Sequence, residues 1–327
     1  MNFLNVSGIG RNDEKGFELK NINLTQQQFQ KIAVTGASGS GKSTLMKIIG
    51  GLVQPDSGKV LFEDVRVEGP AEKLIPGHPG VAYLSQHFQL LNNYRVEELL
   101  EYANKLSEEE ANTLYLICRI DHLLKRKTDQ VSGGERQRIA LAKQLVTAPK
   151  LLLLDEPFSN LDMIHKNILK AVIQDLGEKL GITCMMVLHD PQDSLPWADE
   201  IIVMRNGEII QQGTPEKIYK QPVNEYVAEL FGSYNLIDPI QAKVFSKFPD
   251  IGLKEQQLFI RPEGFKITTK KTGTLKGVVN KIAYLGNAHE IEVSIKKMTV
   301  LVRTNIDNLT KGEEIYLTLS PNDVWFL

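Results

Sequence analysis

The sequence predicts an α/β fold with a mostly parallel sheet and a small helical insert, followed by a small β-barrel domain. In residues 30–213, short apolar runs alternate with helical patterns, which is typical of a parallel sheet covered by helices. In residues 87–131 the pattern is helical alone, and in residues 238–327 it becomes short, often alternating segments separated by turns. We therefore expect two domains, residues 1–237 and residues 238–327.

Four apolar runs of the first domain are predicted to be buried central strands. Their apolar residues do not alternate with polar ones, and each run ends in small or polar residues. The runs are KIAVTG at 31–36, VAYLSQ at 81–86, KLLLLDE at 150–156 and TCMMVLHD at 183–190. An open α/β sheet places its ligand site at the carboxyl ends of such strands, so the polar residues there are candidates for that site.

The remaining segments carry helix, hairpin and barrel signals. In the insert, VEELLEYANKL and SEEEANTLYLIC have helical spacing, and Ser107 with Glu110 forms a capping box. EIIVMRNGEIIQQG contains two β-rich runs joined by Asn206-Gly207, and TPEKIYKQ begins a helix with Thr214 as its N-cap. The predicted barrel strands lie in LFIRPEGFKIT, GTLKGVVNKIAYLG, HEIEVSIKKMTVLVRT and EEIYLTLS.

The composition is that of an ordinary globular protein. The chain has 327 residues, 42% of them hydrophobic and 24% charged, and a net charge of −2. This charge gives no general attraction to nucleic acid or anionic lipid. Cys118 and Cys184 are expected to be buried core residues in a reducing compartment. No apolar run approaches the ~18 residues that span a bilayer, and the first ten residues do not resemble a signal peptide. We expect a cytoplasmic chain unless a partner holds it at a membrane.

A phosphate-binding loop is predicted at GASGSGKST. This stretch follows a predicted strand and opens a helix, which is the context that the Walker A pattern needs. Lys42 should bridge the β- and γ-phosphates of a nucleotide, and the hydroxyl of Ser43 should bind Mg²⁺. The alternative is a flexible Gly/Ser turn. The candidate ATP-binding residues are Gly36, Ala37, Ser38, Gly39, Ser40, Gly41, Lys42, Ser43 and Thr44.

Two carboxylates follow a buried strand in LLLLDEP. An unpaired carboxylate would be costly at such a position, so a cation or a reaction should account for the pair. Asp155 fits the Walker B role of holding Mg²⁺, and Glu156 fits a general base that activates the attacking water. In the alternative, one carboxylate caps the next helix and the other pairs with a lysine.

Two glycines occupy the first turn of a helix predicted at VSGGERQR, residues 131–138. Ser132 and Glu135 form a capping box. Glycine is nevertheless up to about 1 kcal/mol less favourable than alanine inside a helix. The two glycines therefore need a purpose other than helix formation.

These motifs together resemble the nucleotide-binding subunits of ABC transporters. VSGGERQR is similar to the signature motif of that family, usually LSGGQ followed by a glutamine-arginine pair, and it precedes the Walker B strand as in the family. Gln86 resembles the Q-loop, SNLD at 159–162 the D-loop, and His189 the H-loop. The matches occur in the family's order and cover residues 21–213.

The resemblance implies a head-to-tail homodimer that sandwiches two ATP molecules. Each ATP would lie between the phosphate loop of one copy and the signature residues Ser132, Gly133, Gly134 and Glu135 of the other, where the glycines leave room for its approach. We hypothesise that Glu135 chiefly holds that turn in shape. Gln86 would sense the γ-phosphate and Mg²⁺, His189 would fix the attacking water or γ-phosphate, and Asp162 would organise the dimer seam. The alternative for His189 is an ordinary core histidine, and the alternative for Asp162 is an N-cap for a helix that begins near Met163.

The C-terminal segments resemble the TOBE domain, an oligonucleotide-binding-like barrel appended to importer ATPases. The resemblance rests on IRPEG at 260–264 and GVVNKIAYLG at 277–286. The alternative to a regulator-binding barrel is a plain dimer-stabilising domain. In the N-terminal loop, only Ile9 or Phe17 is available to stack on adenine.

We therefore expect an ATP-hydrolysing subunit of an ABC importer, peripheral on the inner face of the cell membrane. Its cofactors would be ATP and Mg²⁺, and its partners a second copy and transmembrane permease subunits. An extracytoplasmic solute-binding protein would act indirectly, and no nucleic acid is expected. The alternatives are a non-transport ABC ATPase acting on nucleic acid or the ribosome, and a P-loop kinase acting on a small molecule.

Overall fold

The computed structural model divides into two compact units, Met1–Pro215 and Glu216–Leu327. The residues that it describes are 3–12, 18–86, 90–248, 251–252, 255–270 and 273–327. The strands of the first unit are β1 (Leu4–Asn12), β2 (Glu18–Gln26), β3 (Ile32–Gly36), β4 (Ser57–Phe62), β5 (Val65–Arg66), β6 (Val81–Leu84), β7 (Leu151–Asp155), β8 (Thr183–Val187), β9 (Glu200–Arg205) and β10 (Glu208–Gly213). Its helices are α1 (Lys42–Ile49), α2 (Val96–Glu101), α3 (Glu108–Ile117), α4 (Gly133–Leu145), α5 (Met163–Leu180) and α6 (Pro191–Trp197).

The predicted parallel sheet is confirmed. Within the described residues it has six strands in the order β10-β9-β3-β8-β7-β6, and the four predicted strands are β3, β6, β7 and β8. The prediction that VAYLSQ forms a buried central strand is wrong, because β6 is the edge strand beside β7 and only Ala82 and Leu84 of its residues are buried. The pairs from β9 to β6 are parallel, and only β10 runs antiparallel to its neighbour β9. The residues of β3, β7 and β8 are all buried, as expected for strands covered on both faces. Parallel order brings the carboxyl ends of these strands to one edge.

A second sheet of the first unit was not predicted. In the part of the chain that the structure describes, it has four antiparallel strands in the order β2-β1-β4-β5. The alternation in ELKNINLTQ, where Leu19, Ile22 and Leu24 are buried, is a strand signal that could have predicted it. One buried cluster joins this sheet to the parallel sheet through α1 and includes Ile9, Val34 and Leu45.

The local signals in the insert and the hairpin are confirmed. Ser107 caps α3 by accepting a hydrogen bond from the amide of Glu110, as the capping box predicts. The segment between β6 and α4 is helical, with α2, α3 and short 3₁₀ turns, although residues 87–89 lie outside the described residues. Asn206 and Gly207 both have positive φ angles, 50° and 78°, and join β9 to β10.

The second unit is an antiparallel β domain. Its elements are α7 (Pro215–Lys220, which begins at the division), α8 (Glu225–Leu230), β11 (Asn235–Ile237), α9 (Pro239–Ala242), β12 (Leu258–Ile260), β13 (Phe265–Thr268), β14 (Leu275–Tyr284), β15 (His289–Ile295), β16 (Met298–Thr304), β17 (Glu314–Leu319) and β18 (Val324–Phe326). Among the described residues, five strands pair in the order β13-β17-β14-β15-β16 and three in the order β11-β12-β18. The end strands β13 and β16 approach each other, so the larger sheet curls toward a barrel.

The compact units divide at a different point from the predicted domain boundary after residue 237. Residues 216–237 pack with the second unit because β11 forms an antiparallel pair with β12. Arg261 also binds this segment, since its guanidinium donates to the backbone carbonyl groups of Tyr219, Gly232 and Ser233. The assignment of functions to residues 1–237 and 238–327 stays a prediction.

Both cysteines are buried free thiols. Burial raises the pKa of each, Cys118 and Cys184, to about 12, so neither ionises readily at neutral pH. Across the described residues, no helix combines the length and the apolar character that crossing a membrane requires.

Candidate active site

The phosphate loop connects β3 to α1 through three glycines with positive φ. The φ angles of Gly36, Gly39 and Gly41 are 145°, 78° and 100°, a region that other residues rarely adopt. A Cβ atom on Gly36 would lie 2.1 Å from the carbonyl oxygen of Met204, so glycine is required there also by space. This backbone leaves the amide groups of a tight loop beside a helix N-terminus, which is an arrangement that binds anions.

Lys42 is a buried cation at the start of α1. Its Nζ atom donates hydrogen bonds to the carbonyl oxygens of Gly36, at 2.9 Å, and Ala37, at 2.8 Å. Burial lowers the pKa of Lys42, and the carboxylates of Glu156 and Asp155 oppose this effect. The ammonium group therefore lies in the loop, within the field of both acidic residues.

Asp155 is buried at the end of β7, and each of its oxygens accepts a hydrogen bond. Ser43 Oγ donates to Oδ1 over 3.0 Å, and the hydroxyl of Tyr83 donates to Oδ2 over 2.8 Å. Burial, followed by the charge of Asp155, raises the pKa of Tyr83, which stays a neutral donor. The sequence interpretation missed Tyr83, although it lies on β6, the parallel neighbour of β7.

The oxygen atoms of Ser43 and Asp155 suit Mg²⁺, which prefers such ligands and keeps several waters or phosphate oxygens. The described residues contain no cluster of three or more His, Cys, Asp or Glu side chains that could hold a metal ion.

Glu156 and His189 form a close pair beyond the ends of the neighbouring strands β7 and β8. His189 Nε2 lies 2.5 Å from Glu156 Oε1, and since a carboxylate can only accept, Nε2 is the donor. Ser159 Oγ donates to the other oxygen, Oε2, over 3.1 Å. Burial acts to raise the pKa of Glu156, but the hydrogen bonds from His189 and Ser159, with the charge of Lys42, hold it below its ordinary value.

Gln86 is exposed two residues after β6, at the same edge of the sheet as Asp155. The structure thus places Gln86 just after β6, as predicted. A contact between Gln86 and a metal stays a prediction.

The signature turn has the predicted capping box. Ser132 Oγ accepts from the amide of Glu135 over 3.3 Å, and the Ser132 amide donates to Glu135 Oε2 over 2.7 Å. The backbone hydrogen bond from Ser132 lowers the pKa of Glu135, which keeps its carboxylate ionised.

The two glycines of the turn have different surroundings. A Cβ atom on Gly133 would meet nothing within 4 Å, whereas one on Gly134 would lie 2.3 Å from Cδ2 of His165. Only Gly133 therefore has open space before it, and Gly134 is needed for packing inside this chain. Sequence reasoning missed His165 because the contact joins two helices.

Asp162 is the N-cap of α5, which begins at Met163. Its Oδ1 accepts from the backbone amide of His165 over 2.9 Å, and its Oδ2 lies 2.7 Å from the Nδ1 atom of the same residue. The backbone and ring hydrogen bonds lower the pKa of Asp162. The N-cap alternative for Asp162 is confirmed, and its role at a dimer seam stays a prediction.

Of the two residues considered for adenine stacking, the structure tests only Ile9. Ile9 is fully buried in the core of the first unit, which excludes it. Phe17 lies outside the described residues.

Comparisons with known proteins identify sequences that are similar to this chain. The family model described as ABC transporter matches residues 19–159, and the one described as TOBE domain matches residues 258–327. A spermidine/putrescine import ATP-binding protein, PotA, of Clostridium acetobutylicum is 31% identical over 98% of this chain and 95% of its own length. A sulfate/thiosulfate import ATP-binding protein, CysA, of Mesostigma viride is 33% identical over 92% of each chain.

Two solved structures from ABC transporters are similar to this chain. MJ1267, an ATP-binding cassette of an ABC transporter in its ADP conformation, has a TM-score of 0.60 and 26% identity over 71% of this chain and 98% of its own. cbiO1 of Clostridium perfringens, part of the ABC transporter complex cbiONQ, has a TM-score of 0.57 and 27% identity over 66% of this chain and 90% of its own.

The fold, the phosphate loop and the acidic strand end define an ATP-hydrolysing P-loop protein. The chain belongs to the family of ABC transporter ATP-binding subunits, in the importer type that carries a C-terminal TOBE domain. It is therefore an ATPase that serves a transporter, and the predicted family and fold class are confirmed.

Proposed function

We propose that the chain hydrolyses Mg²⁺-bound ATP as a head-to-tail homodimer beneath transmembrane permease subunits. The observation that carries the proposal is the pair formed by Glu156 and His189, with 2.5 Å between Oε1 and Nε2, beside the Ser43–Asp155 contact. These contacts support the proposal because they bring a carboxylate, its hydrogen-bond donor and two oxygen groups suited to Mg²⁺ to one edge of the sheet.

The triphosphate would lie on the loop Gly36–Thr44. Lys42 would exchange its hydrogen bonds to the loop carbonyls for bonds to the β- and γ-phosphates, a small movement of a side chain already in place. Mg²⁺ would be held by Ser43, Asp155 and Gln86, and when bound it would neutralise charge on the phosphate oxygens.

Glu156 would act as the general base. Its lowered pKa keeps the carboxylate ionised at neutral pH, so that it can accept a proton from the attacking water. His189 would hold Glu156 by its Nε2–H group, and Ser159 would hold the second carboxylate oxygen. The two donors leave the base oriented when the water arrives.

The second copy would complete the nucleotide site. Gly133 is exposed with open space before it, so its turn can approach an ATP bound on another subunit. The capping box of Ser132 and Glu135 fixes the turn, and Asp162 would lie at the same seam. Closure of the dimer on two ATP molecules, followed by reopening after hydrolysis, would drive transport.

A cavity between the core and the helical insert is suited to a permease segment. Its volume is about 520 Å³, and its lining includes Leu52, Ile75, Tyr83, Lys105 and Gln144. Two apolar side chains near it, Leu74 and Ile75, are 98% and 75% exposed, so they can contact a partner. Because Tyr83 also bonds to Asp155, an occupant of this cavity would touch a residue that holds the metal-binding carboxylate. This docking would keep the chain on the inner face of the membrane, with any solute-binding protein acting through the permease.

The proposal is tested with Glu156→Gln. The variant should bind ATP and accumulate as an ATP-bound dimer, while kcat falls by about 100-fold or more because the base is lost. Steady-state phosphate release and size-exclusion chromatography with and without Mg-ATP measure the two effects. Glu108→Gln, an exposed change in the insert, is the control and should keep the parent rate. A near-normal rate for Glu156→Gln in a clean preparation would overturn the assignment.

A further inference from the structure

His165 connects two segments that the proposed function places at the dimer seam. It lies in the first turn of α5, and its Nδ1 atom is 2.7 Å from Oδ2 of Asp162 in the D-loop. A carboxylate only accepts hydrogen bonds, so Nδ1 carries the proton and is the donor.

The opposite side of the same ring packs against the signature turn. An ideal Cβ atom on Gly134 would lie 2.3 Å from Cδ2, 2.8 Å from Cγ and 3.1 Å from Cβ of His165. A real Cβ atom cannot come so close, so the imidazole rests directly on the backbone of Gly134. The side chain is only 34% exposed, although Asp162 beside it is 62% exposed.

The signature helix is tied to the same region at a second point. The side chain of Gln137, one turn along α4, donates from Nε2 to the carbonyl oxygen of Pro157. Pro157 directly follows the proposed base, Glu156. Two contacts on α4 therefore hold it against the segment that runs from Pro157 through the D-loop into α5.

We propose that His165 is a positioning residue that fixes the signature turn relative to the D-loop carboxylate. The inference rests on the proposed function, because both segments would face the ATP and the partner subunit across the seam. Asp162 has both oxygens bonded to His165, one by the backbone amide and one by the ring, so its orientation also depends on this residue. Each copy would then present the signature turn and the D-loop as one rigid surface.

This role makes a prediction that separates assembly from nucleotide binding. Loss of the ring would loosen the surface offered to the partner, while the phosphate loop of the same copy would be unaffected. ATP-driven dimerisation should weaken, and binding of ADP to the monomer should not. Replacing a residue that merely stabilised the fold would weaken both dimerisation and ADP binding, or neither of them.

The experiment measures ATP-dependent dimerisation in the Glu156→Gln background. Adding His165→Ala should raise the dimer dissociation constant by about 10-fold, the scale of one lost hydrogen bond. His165→Asn retains a donor close to the position of Nδ1 and should recover part of the loss. Calorimetric binding of Mg-ADP to the monomer should stay unchanged. An unchanged dimer constant, or an equal loss of ADP binding, would overturn the role of His165.

A second measurement tests the contact itself. Gly134→Ala should strongly impair dimerisation because its methyl group meets the His165 ring, and adding His165→Ala should relieve much of that defect. Absence of any relief would show that the ring does not mediate the effect. If the Glu156→Gln parent itself does not dimerise with ATP, the proposed dimer fails, and the role of His165 fails with it. If the Glu156→Gln parent dimerises with ATP and the added His165→Ala change does not alter its dimer constant, only the role of His165 is rejected and the proposed dimer stands.

Discussion

His189 Nε2 donates to Glu156 Oε1 over 2.5 Å and so joins the segments that follow two adjacent parallel strands. The hydrogen bond favours the ionised form of Glu156, and burial favours the neutral form. The bonds to His189 and Ser159 prevail, and the pKa lies below its ordinary value of 4.5. The base of the proposed reaction is therefore available across the neutral range.

Replacing His189 should reduce the rate and change its pH dependence. In His189→Ala, kcat should fall by about 100-fold, and the acidic limb of the pH–rate profile should move to higher pH, because Glu156 loses a bond that lowers its pKa. Phosphate release measured across the pH range gives both quantities. His122→Ala, an exposed change in the insert, is the control. An acidic limb that stays in place would contradict this account of the Glu156 pKa.

The same pKa shift predicts how stability depends on pH. A carboxyl group with a folded pKa below its unfolded value stabilises the fold above the unfolded pKa, and this contribution is lost as the pH falls through the folded pKa. Glu156→Gln should therefore lower the free energy of unfolding at neutral pH relative to the parent, and the difference should shrink in acid below pH about 4.5. Urea unfolding at several pH values measures it. A difference independent of pH would exclude ionisation as its source.

Tyr83→Phe should leave Asp155, the proposed Mg²⁺ ligand, in place but less firmly oriented. The change leaves Oδ2 of buried Asp155 without its hydroxyl partner, which costs about 1–3 kcal/mol of stability. It should also raise the Mg²⁺ concentration needed for half-maximal ATPase, because the carboxylate is less well oriented. Urea unfolding and Mg²⁺ titration are the measurements, and Tyr102→Phe, at a 96% exposed residue, is the matched control. Parent-like behaviour in both assays would mean that Tyr83 does not position Asp155.

The two signature glycines should respond differently to alanine. Gly134→Ala should destabilise the chain without nucleotide, because its Cβ would lie 2.3 Å from His165. Gly133→Ala should leave stability unchanged or raise it by up to about 1 kcal/mol, since alanine is the better helix former and space is open. Its defect should appear only in ATP-driven dimerisation. Thermal unfolding and size-exclusion chromatography distinguish the two, and equal destabilisation would contradict the packing argument.

Arg261→Lys should destabilise the second unit. The buried guanidinium binds three carbonyl groups of residues 219–233, and a single ammonium group cannot replace this planar set of donors. A loss of about 2–4 kcal/mol follows from the unpaired carbonyl groups. Fluorescence of Trp325, whose Nε1 donates to the carbonyl of Pro222, reports unfolding of this unit once Trp197 of the first unit is replaced by phenylalanine. Arg66→Lys, at an exposed ion pair, is the control and should have little effect. Equally small losses of stability in Arg261→Lys and Arg66→Lys would show that a lysine at position 261 can satisfy the three carbonyl groups.

Much of the site could be predicted because its chemistry depends on local backbone geometry. A phosphate loop requires glycines at particular steps between a strand and a helix, and GASGSGKST has them. The capping boxes at Ser107 and Ser132 likewise join residues three positions apart, so the sequence determines them before any packing occurs. The central strands were predicted because their burial on both faces excludes polar residues.

The partners of the site residues required the tertiary structure. Tyr83 and Asp155 are 72 positions apart, and they meet only because β6 and β7 are neighbours in the sheet. Gly134 and His165 touch because α4 and α5 converge, so one signature glycine is also required by the packing of this chain. The sequence by itself thus determined the loops, the caps and the family. The fold decided which side chains meet, because long-range contacts depend on strand order and helix packing rather than on spacing along the chain.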